Sequence, residues 1–238
     1  MKIKAVLFDL DGTLLPMDQD VFIKAYFGGL VKALTPHGYD PTTLVNAIWN
    51  GTANMIKNDG KRTNEQAFWE AFSSIYGERA KEDEPYFDAF YISPDGFDKV
   101  RDVLGYTERA KEIIALVKSL GLKAVLATNP VFPAIATRKR ISWAGLNLED
   151  FELYTTYENS SFCKPNIAYY KEILKKLNLA PEECLMVGND VGDDMVAEKL
   201  GMKVFLLTDC LINKTERCVS DFPSGSFDKL ADFIKSLD

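Results

Sequence analysis

The chain is poor in several things that would narrow its class by their presence. No apolar run approaches the ~20 residues of a membrane span, and Met1-Lys2-Ile3-Lys4 leads straight into an apolar segment without the apolar stretch and small-residue cleavage site of a secretory signal. A soluble, cytoplasmic protein with no membrane partner is expected. There is no basic cluster: the net charge is −7 and the pI about 5.0, which argues against binding nucleic acid by neutralising its phosphates. The four cysteines, Cys163, Cys184, Cys210 and Cys218, are scattered without a Cys-x-x-Cys pair, so neither a zinc site nor a disulfide framework is indicated. Lys164 beside Cys163 could lower that thiol's pKa, but no catalytic role is expected of it. The single histidine, His37, stands in a loop bounded by Pro36 and Gly38 and reads as a surface turn residue. No internal repeat or low-complexity segment is present.

What the chain does have is length and apolar content. With 238 residues, 47% of them hydrophobic, it can bury a full core and holds one domain with a sizeable insertion, or two small ones. Its most informative stretch is Val6-Leu7-Phe8-Asp9-Leu10-Asp11-Gly12-Thr13-Leu14, an apolar strand ending in two carboxylates and a glycine turn. In an extended chain residues i and i+2 share a face. Asp9 and Asp11 would therefore point into one pocket at the carboxyl end of a strand, where open α/β sheets place their ligands. Two carboxylates that close repel unless a hard cation such as Mg²⁺ joins them, and a carboxylate can act as a covalent nucleophile toward a phosphoryl group. A solvated acidic turn is the plainer alternative.

From about Asp18 to Asp102 apolar residues recur at helical spacing, with breaks at 36–41, 58–61 and 92–96. Val21, Phe22, Ala25, Tyr26 and Leu30 form one amphipathic stripe, and Leu44, Val45, Ile48, Trp49 and Met55 a second. Phe68, Phe72 and Ile75 form a third after a start at Thr63-x-Glu65-Gln66. The many aromatics here most simply fill a helical core. From Thr107 onward helices and strands alternate: helix 107–120, strand 123–127, helix 133–143, strand 151–154, helix 166–177, strand 184–187, helix 193–200 and strand 203–207. Such alternation predicts an α/β fold with a Rossmann-like parallel sheet, to which the first strand, 3–8, belongs. The expected organisation is an α/β core of residues 1–15 plus 103–238, with an all-helical insert over 16–102.

Three further places on the same sheet edge could carry chemistry. Thr128-Asn129 follows the second predicted strand and could donate hydrogen bonds to phosphate oxygens, or merely end the strand before Pro130. Lys164-Pro165 comes about ten residues after the third strand and reads as opening a helix, with Pro in the first turn. Its ammonium could neutralise a phosphoryl group, although a lone lysine is ordinarily a surface residue. Gly188-Asn189-Asp190-Val191-Gly192-Asp193-Asp194 follows the fourth strand with three carboxylates in five positions, suited to Mg²⁺ or simply to a helix N-terminus.

Taken together, Asp9-x-Asp11-Gly12-Thr13-Leu14, Leu126-Ala127-Thr128-Asn129, Lys164-Pro165 and Gly188-Asn189-Asp190 resemble, in order, the four motifs of the haloacid dehalogenase superfamily. The similarity is to its phosphatase members with an inserted helical cap, of the phosphoglycolate phosphatase-like kind. The resemblance implies that Asp9 is the nucleophile toward a small phosphomonoester and Asp11 the general acid and base. It assigns Thr128, Asn129 and Lys164 to the transferring phosphoryl group. Mg²⁺ would be held by Asp9, by Asp11 through its backbone carbonyl, and by Asp190 with Asp194 as its partner. Asp193 is the rival for that second place, and Asn189 departs from the commoner acid after the glycine.

Within the family, Asp11 argues against a true dehalogenase, which lacks the second acid. Lys24, Lys32 and Lys57 offer little support for a phosphonate hydrolase, which needs a cap lysine. A sugar phosphomutase shares all four motifs and is the nearest alternative. A non-catalytic receiver-like phosphate binder is the alternative from another class, opposed by the order of the motifs and by the size of the insert. The sequence leaves the substrate and the oligomeric state open.

Overall fold

The short apolar runs become strands covered on both faces. The computed structural model describes residues 2–77 and 79–237; Met1, which the sequence reading sets ahead of the first strand, lies outside them. Strands β1 (Ala5–Phe8), β2 (Lys123–Leu126), β3 (Leu153–Tyr154), β4 (Cys184–Gly188), β5 (Lys203–Leu207) and β6 (Ser224–Gly225) form one parallel sheet in the order β3-β2-β1-β4-β5-β6. Because β1 pairs with β2 on one side and β4 on the other, the chain direction across the sheet reverses beside it, the place where such sheets open a crevice. Phe8 lies opposite both Leu126 and Val187. The segments that follow these three residues therefore leave the sheet side by side.

Alternate strand residues feed two apolar layers. Val6, Phe8, Leu126, Val187 and Phe205 face one, which also holds residues of α6 (Arg109–Ser119), α7 (Ala134–Trp143) and α9 (Phe227–Lys235). Leu7, Val125, Met186 and Leu206 face the other, closed by Tyr169, Tyr170 and Ile173 of α8 (Ile167–Leu177) and by Met195.

Between β1 and α6 the described residues form five α-helices, α1 (Gln19–Leu34), α2 (Pro41–Ile56), α3 (Asn64–Tyr76), α4 (Arg79–Glu82) and α5 (Glu84–Ile92). Their starts are set locally. Asp18 accepts from the Asp20 and Val21 amides at 3.0 Å each, Asp40 caps α2 ahead of Pro41, and Thr63 and Gln66 cap α3 reciprocally. At Gly51 of α2 an added Cβ would sit 2.5 Å from the Phe68 ring of α3, so glycine is what allows these two helices to meet. Where the chain leaves and rejoins the sheet, the Gly105 amide donates to the Pro16 carbonyl at 2.8 Å. Its buried rings, Phe72 among them, are continuous with the apolar layer on one face of the sheet.

Several details differ from the sequence expectations. Residues 193–200 do not form an α-helix; Met195–Leu200 is a 3₁₀ segment with i+3 bonds, ended by Gly201 at φ 93°. Pro165 does not enter a helix, since Asn166 behind it is the N-cap of α8. Val21 and Ile75 face solvent rather than the core, because each sits at the margin of its stripe. Strand β6 and helix α9 extend the fold beyond the last predicted strand.

Burial separates the aromatics of the insert into two kinds: Phe72 is fully buried, whereas Trp49 is 47% exposed. Phe72→Ala is expected to cost about 3–5 kcal/mol of stability, and Trp49→Ala less than about 1 kcal/mol, as read from denaturant unfolding midpoints. An equal loss for the two would contradict this division.

Candidate active site

Strand β1 ends at Phe8, and the Asp9 amide still donates to the Val187 carbonyl at 2.9 Å, so Asp9 is fixed by sheet pairing rather than by a mobile loop. The chain then turns sharply through Gly12, at φ 83°, where a Cβ would lie 2.4 Å from the Asn189 side chain. Both the positive φ and this close approach call for glycine. Asn189, which breaks the family pattern, uses its amide at both ends. It accepts from the Thr13 hydroxyl at 3.0 Å and donates to the Cys210 carbonyl at 2.7 Å, joining the turn after β1 to the loop after β5.

The centre of the site is Lys164. Only 2% exposed, it places its ammonium 2.8 Å from Asp9 Oδ1 and 2.6 Å from Asp194 Oδ1. Burial works against its charge, but Asp194 and Asp9 outweigh that and hold its pKa well above the ordinary lysine value. Asp194 is also buried, which pushes its carboxyl up; Lys164 draws it back down, with the Asp190 amide donating to Asp194 Oδ2 at 3.0 Å. The tuck is possible because Gly188 has no side chain: a Cβ there would overlap the Asp194 carboxylate at 2.0 Å. With both oxygens so engaged, Asp194 supports Lys164 and the Asp190 loop.

Asp190 accepts from the Gly192 amide at 2.7 Å and the Asp193 amide at 3.0 Å, both on Oδ1. Asp193 reaches toward Asn129 Nδ2 at 3.5 Å, and burial pushes its carboxyl up to about 6, with the charges of Asp190 and Asp9 adding to the rise and Lys164 opposing it. Asn129 accepts from the Lys164 amide at 3.2 Å. The Thr128 carbonyl is held by the Thr155 hydroxyl at 2.6 Å and the Tyr169 hydroxyl at 2.9 Å. All of the sequence-proposed positions, Asp9, Asp11, Thr128, Asn129, Lys164, Asp190 and Asp194, line one cavity. Cys163 does not share their chemistry: burial and the nearby Asp193 push its thiol up to about 12, contrary to the activation that its lysine neighbour suggested.

One member of the site is absent from the sequence reading. Arg140 of α7 has no exposed surface and forms an ion pair with Asp11 Oδ2. Its guanidinium lies 4.5 Å over the Phe132 ring and also reaches the Thr137 hydroxyl. The signal was faint. Arg140 falls in line with Ala136, Thr137 and Ile141 at the i, i+1, i+4, i+5 spacing of an inward face, but three basic residues in succession look like a solvated surface. Desolvation raises the Asp11 pKa, Arg140 opposes the rise, and Asp9 adds to it.

Asp11 Oδ1 is buried without a hydrogen-bond partner, while Asp9, the Asp11 carbonyl and Asp190 offer only oxygen donors, the set a hard cation takes. No group of three acidic, histidine or cysteine side chains among the described residues converges as a ready metal cluster. Mg²⁺ fits this arrangement because it uses one or two carboxylates and completes its shell with water and substrate oxygens.

The two ion pairs differ in redundancy. Asp11→Ala strands a buried guanidinium and is expected to cost about 3 kcal/mol. Asp9→Ala leaves Lys164 paired with Asp194 and should cost only about 1–2 kcal/mol. Urea unfolding of the two variants checks the order, and a larger loss for Asp9→Ala would refute it.

The family model described as haloacid dehalogenase-like hydrolase matches residues 3–201. A glyceraldehyde 3-phosphate phosphatase of Methanocaldococcus jannaschii is 26% identical over 237 residues, covering 99% of this chain and 98% of the relative. A protein of Caldanaerobacter subterraneus named as the pyrophosphatase PpaX is 26% identical over 216 residues, covering 85% of this chain and 80% of its own length. Among solved structures, the HAD-hydrolase YfnB of Bacillus subtilis bound to magnesium aligns with a TM-score of 0.54 at 16% identity, covering 98% of this chain and 99% of that one, a likeness of fold. The family match spans all four motifs and strands β1 to β4: the chain belongs to the haloacid dehalogenase-like hydrolases.

Proposed function

We propose that the chain is a Mg²⁺-dependent phosphatase that hydrolyses a small phosphomonoester through an aspartyl-phosphate on Asp9. The observation that carries this reading is the buried Lys164 ammonium, 2.8 Å from Asp9 Oδ1, in the wall of a strand-end pocket. The cation orients the carboxylate, offsets the charge of an arriving phosphoryl group, and leaves Asp9 Oδ2 to attack phosphorus. Names of relatives, a phosphatase and a pyrophosphatase, point the same way.

In this reading the alcohol's P–O bond breaks as the Asp9 Oδ2–P bond forms, and Asp11 delivers a proton to the departing oxygen. Asp11 then takes a proton from water, whose oxygen attacks phosphorus and releases Asp9. The net change is one ester and one water to one alcohol and one phosphate. Desolvation of Asp11 favours its protonated form and suits the acid role, while Arg140 fixes the carboxyl's position through Oδ2. Thr128, Asn129 and Lys164 hold the phosphoryl oxygens. Asp9, the Asp11 backbone carbonyl and Asp190 would hold Mg²⁺, with Asp194 steadying Asp190; the ion supplies charge neutralisation and alignment of the phosphate. The core of residues 1–15 plus 103–238 supplies the chemistry, and the insert of residues 16–102 acts as a cap over it.

The expected result with p-nitrophenyl phosphate is phosphate release that a chelator abolishes and Mg²⁺ restores. Asp9→Asn should lower it by roughly a thousandfold or more, since loss of a single stabilising donor already costs ~10²–10³. Equal rates for Asp9→Asn and wild type would reject the nucleophile assignment.

A further inference from the structure

The cavity over Asp9 has a volume of about 280 Å³, near the small end of ligand pockets, and its walls away from the catalytic edge are mostly apolar. Resting on the phosphatase reading, we infer that its substrate is the monophosphate of an apolar alcohol bearing no second anionic group.

Three observations carry this. First, Lys164 is the only lysine or arginine among the described residues that line the cavity, and its ammonium is already shared between Asp9 and Asp194. A carboxylate or a second phosphate on the leaving group would find no cation. It would instead meet Glu84 and Asp88, which α5 contributes to the same wall, and like charges brought together without a counter-ion oppose binding. Second, the three hydroxyls that the insert contributes to the wall, those of Tyr26, Thr52 and Tyr91, are already engaged. The Tyr26 and Tyr91 hydroxyls pair at 2.8 Å, and the Thr52 hydroxyl donates to the Ile48 carbonyl at 2.9 Å. A polyhydroxylated leaving group would regain fewer hydrogen bonds from this wall than it gives up in water. Third, Trp49 lines the cavity while 47% exposed, stacked at a tilt on Phe27 with centroids 5.4 Å apart. A large ring left open beside a concave apolar wall is surface for a ligand to cover. Phe22, Phe132 and Ile23 continue that wall toward the catalytic edge.

The inference separates this chain from relatives named for pyrophosphate and for glyceraldehyde 3-phosphate, whose leaving groups are charged or polar. Trp49 becomes a specificity-determining residue that sets which alcohol is accepted, with no part in the chemical step.

The test compares kcat/KM, with Mg²⁺ present, for 3-phenylpropyl phosphate, phosphoglycolate, glyceraldehyde 3-phosphate and pyrophosphate. The first two esters both release primary alkyl alcohols, so leaving-group ability does not decide between them. The expected result is 3-phenylpropyl phosphate ahead of each of the others by at least about tenfold. Trp49→Ala, whose folding is checked by circular dichroism, should lower that ester's kcat/KM mainly through KM and narrow its lead over phosphoglycolate. In a binding assay independent of turnover, 3-phenylpropylphosphonate should change the tryptophan fluorescence of wild type at concentrations where phosphonoacetate does not. If any of the three polar or charged substrates equals or exceeds 3-phenylpropyl phosphate, the substrate class is wrong and the phosphatase reading stands. Phosphate release from none of the four would strike down the phosphatase reading and this inference with it.

Discussion

A lysine ammonium sealed between two carboxylates organises this molecule. Lys164 is 2% exposed and Asp194 1%, so neither charge could remain buried without the other. Their meeting dictates the surroundings. Gly188 must lack a side chain for Asp194 to tuck beneath it, the Asp190 amide is drawn onto Asp194, and Asn129 turns to receive the Lys164 amide. The Asp9 carboxylate is then the third party to an ion cluster already paired by Asp194, held in place by Lys164 without being the only group that satisfies it. That is a suitable position for a nucleophile, which needs fixed geometry yet must give up its charge during reaction.

Asp11 is held by a separate cation. Arg140 approaches from α7, through the apolar layer on one face of the sheet, while Lys164 approaches from the loop before α8, which covers the other. Two aspartates two residues apart thus answer to two cations from opposite layers, and their carboxyl groups are placed in different environments. Such separation of neighbouring carboxylates is how acid and nucleophile roles are divided at one pH. Among the described residues the insert contributes no lysine or arginine to this cavity and lines it mostly with rings, to which α5 adds Glu84 and Asp88.

The parallel sheet, the helical character of the insert and the starts of α2 and α3 were legible because they depend on local patterns: apolar runs, caps and spacing. So was the convergence of Asp9, Thr128, Lys164 and Asp190, since the motifs follow successive strands and a parallel sheet brings the ends of those strands together. The 3₁₀ segment at Met195–Leu200 was not legible, because the apolar spacing of so short a segment does not separate a 3₁₀ turn from an α-helix. Nor was Arg140, whose burial next to Lys139 depends on an ion partner 129 residues away in sequence. Strand β6 was missed because two residues carry no periodicity.

The sequence by itself determined the class of chemistry and its order along the chain: a strand ending in paired carboxylates, then a hydroxyl, an ammonium and further acids supplied by the segments that follow three later strands. It could do so because these features are encoded within a few residues of one another. Only the tertiary structure decided how the charges divide, with Asp194 paired to Lys164, Asn189 tying two loops together and Arg140 clamping Asp11. Long-range pairing and desolvation exist only once the layers close, and those two effects, more than residue type, give each acidic side chain its separate place.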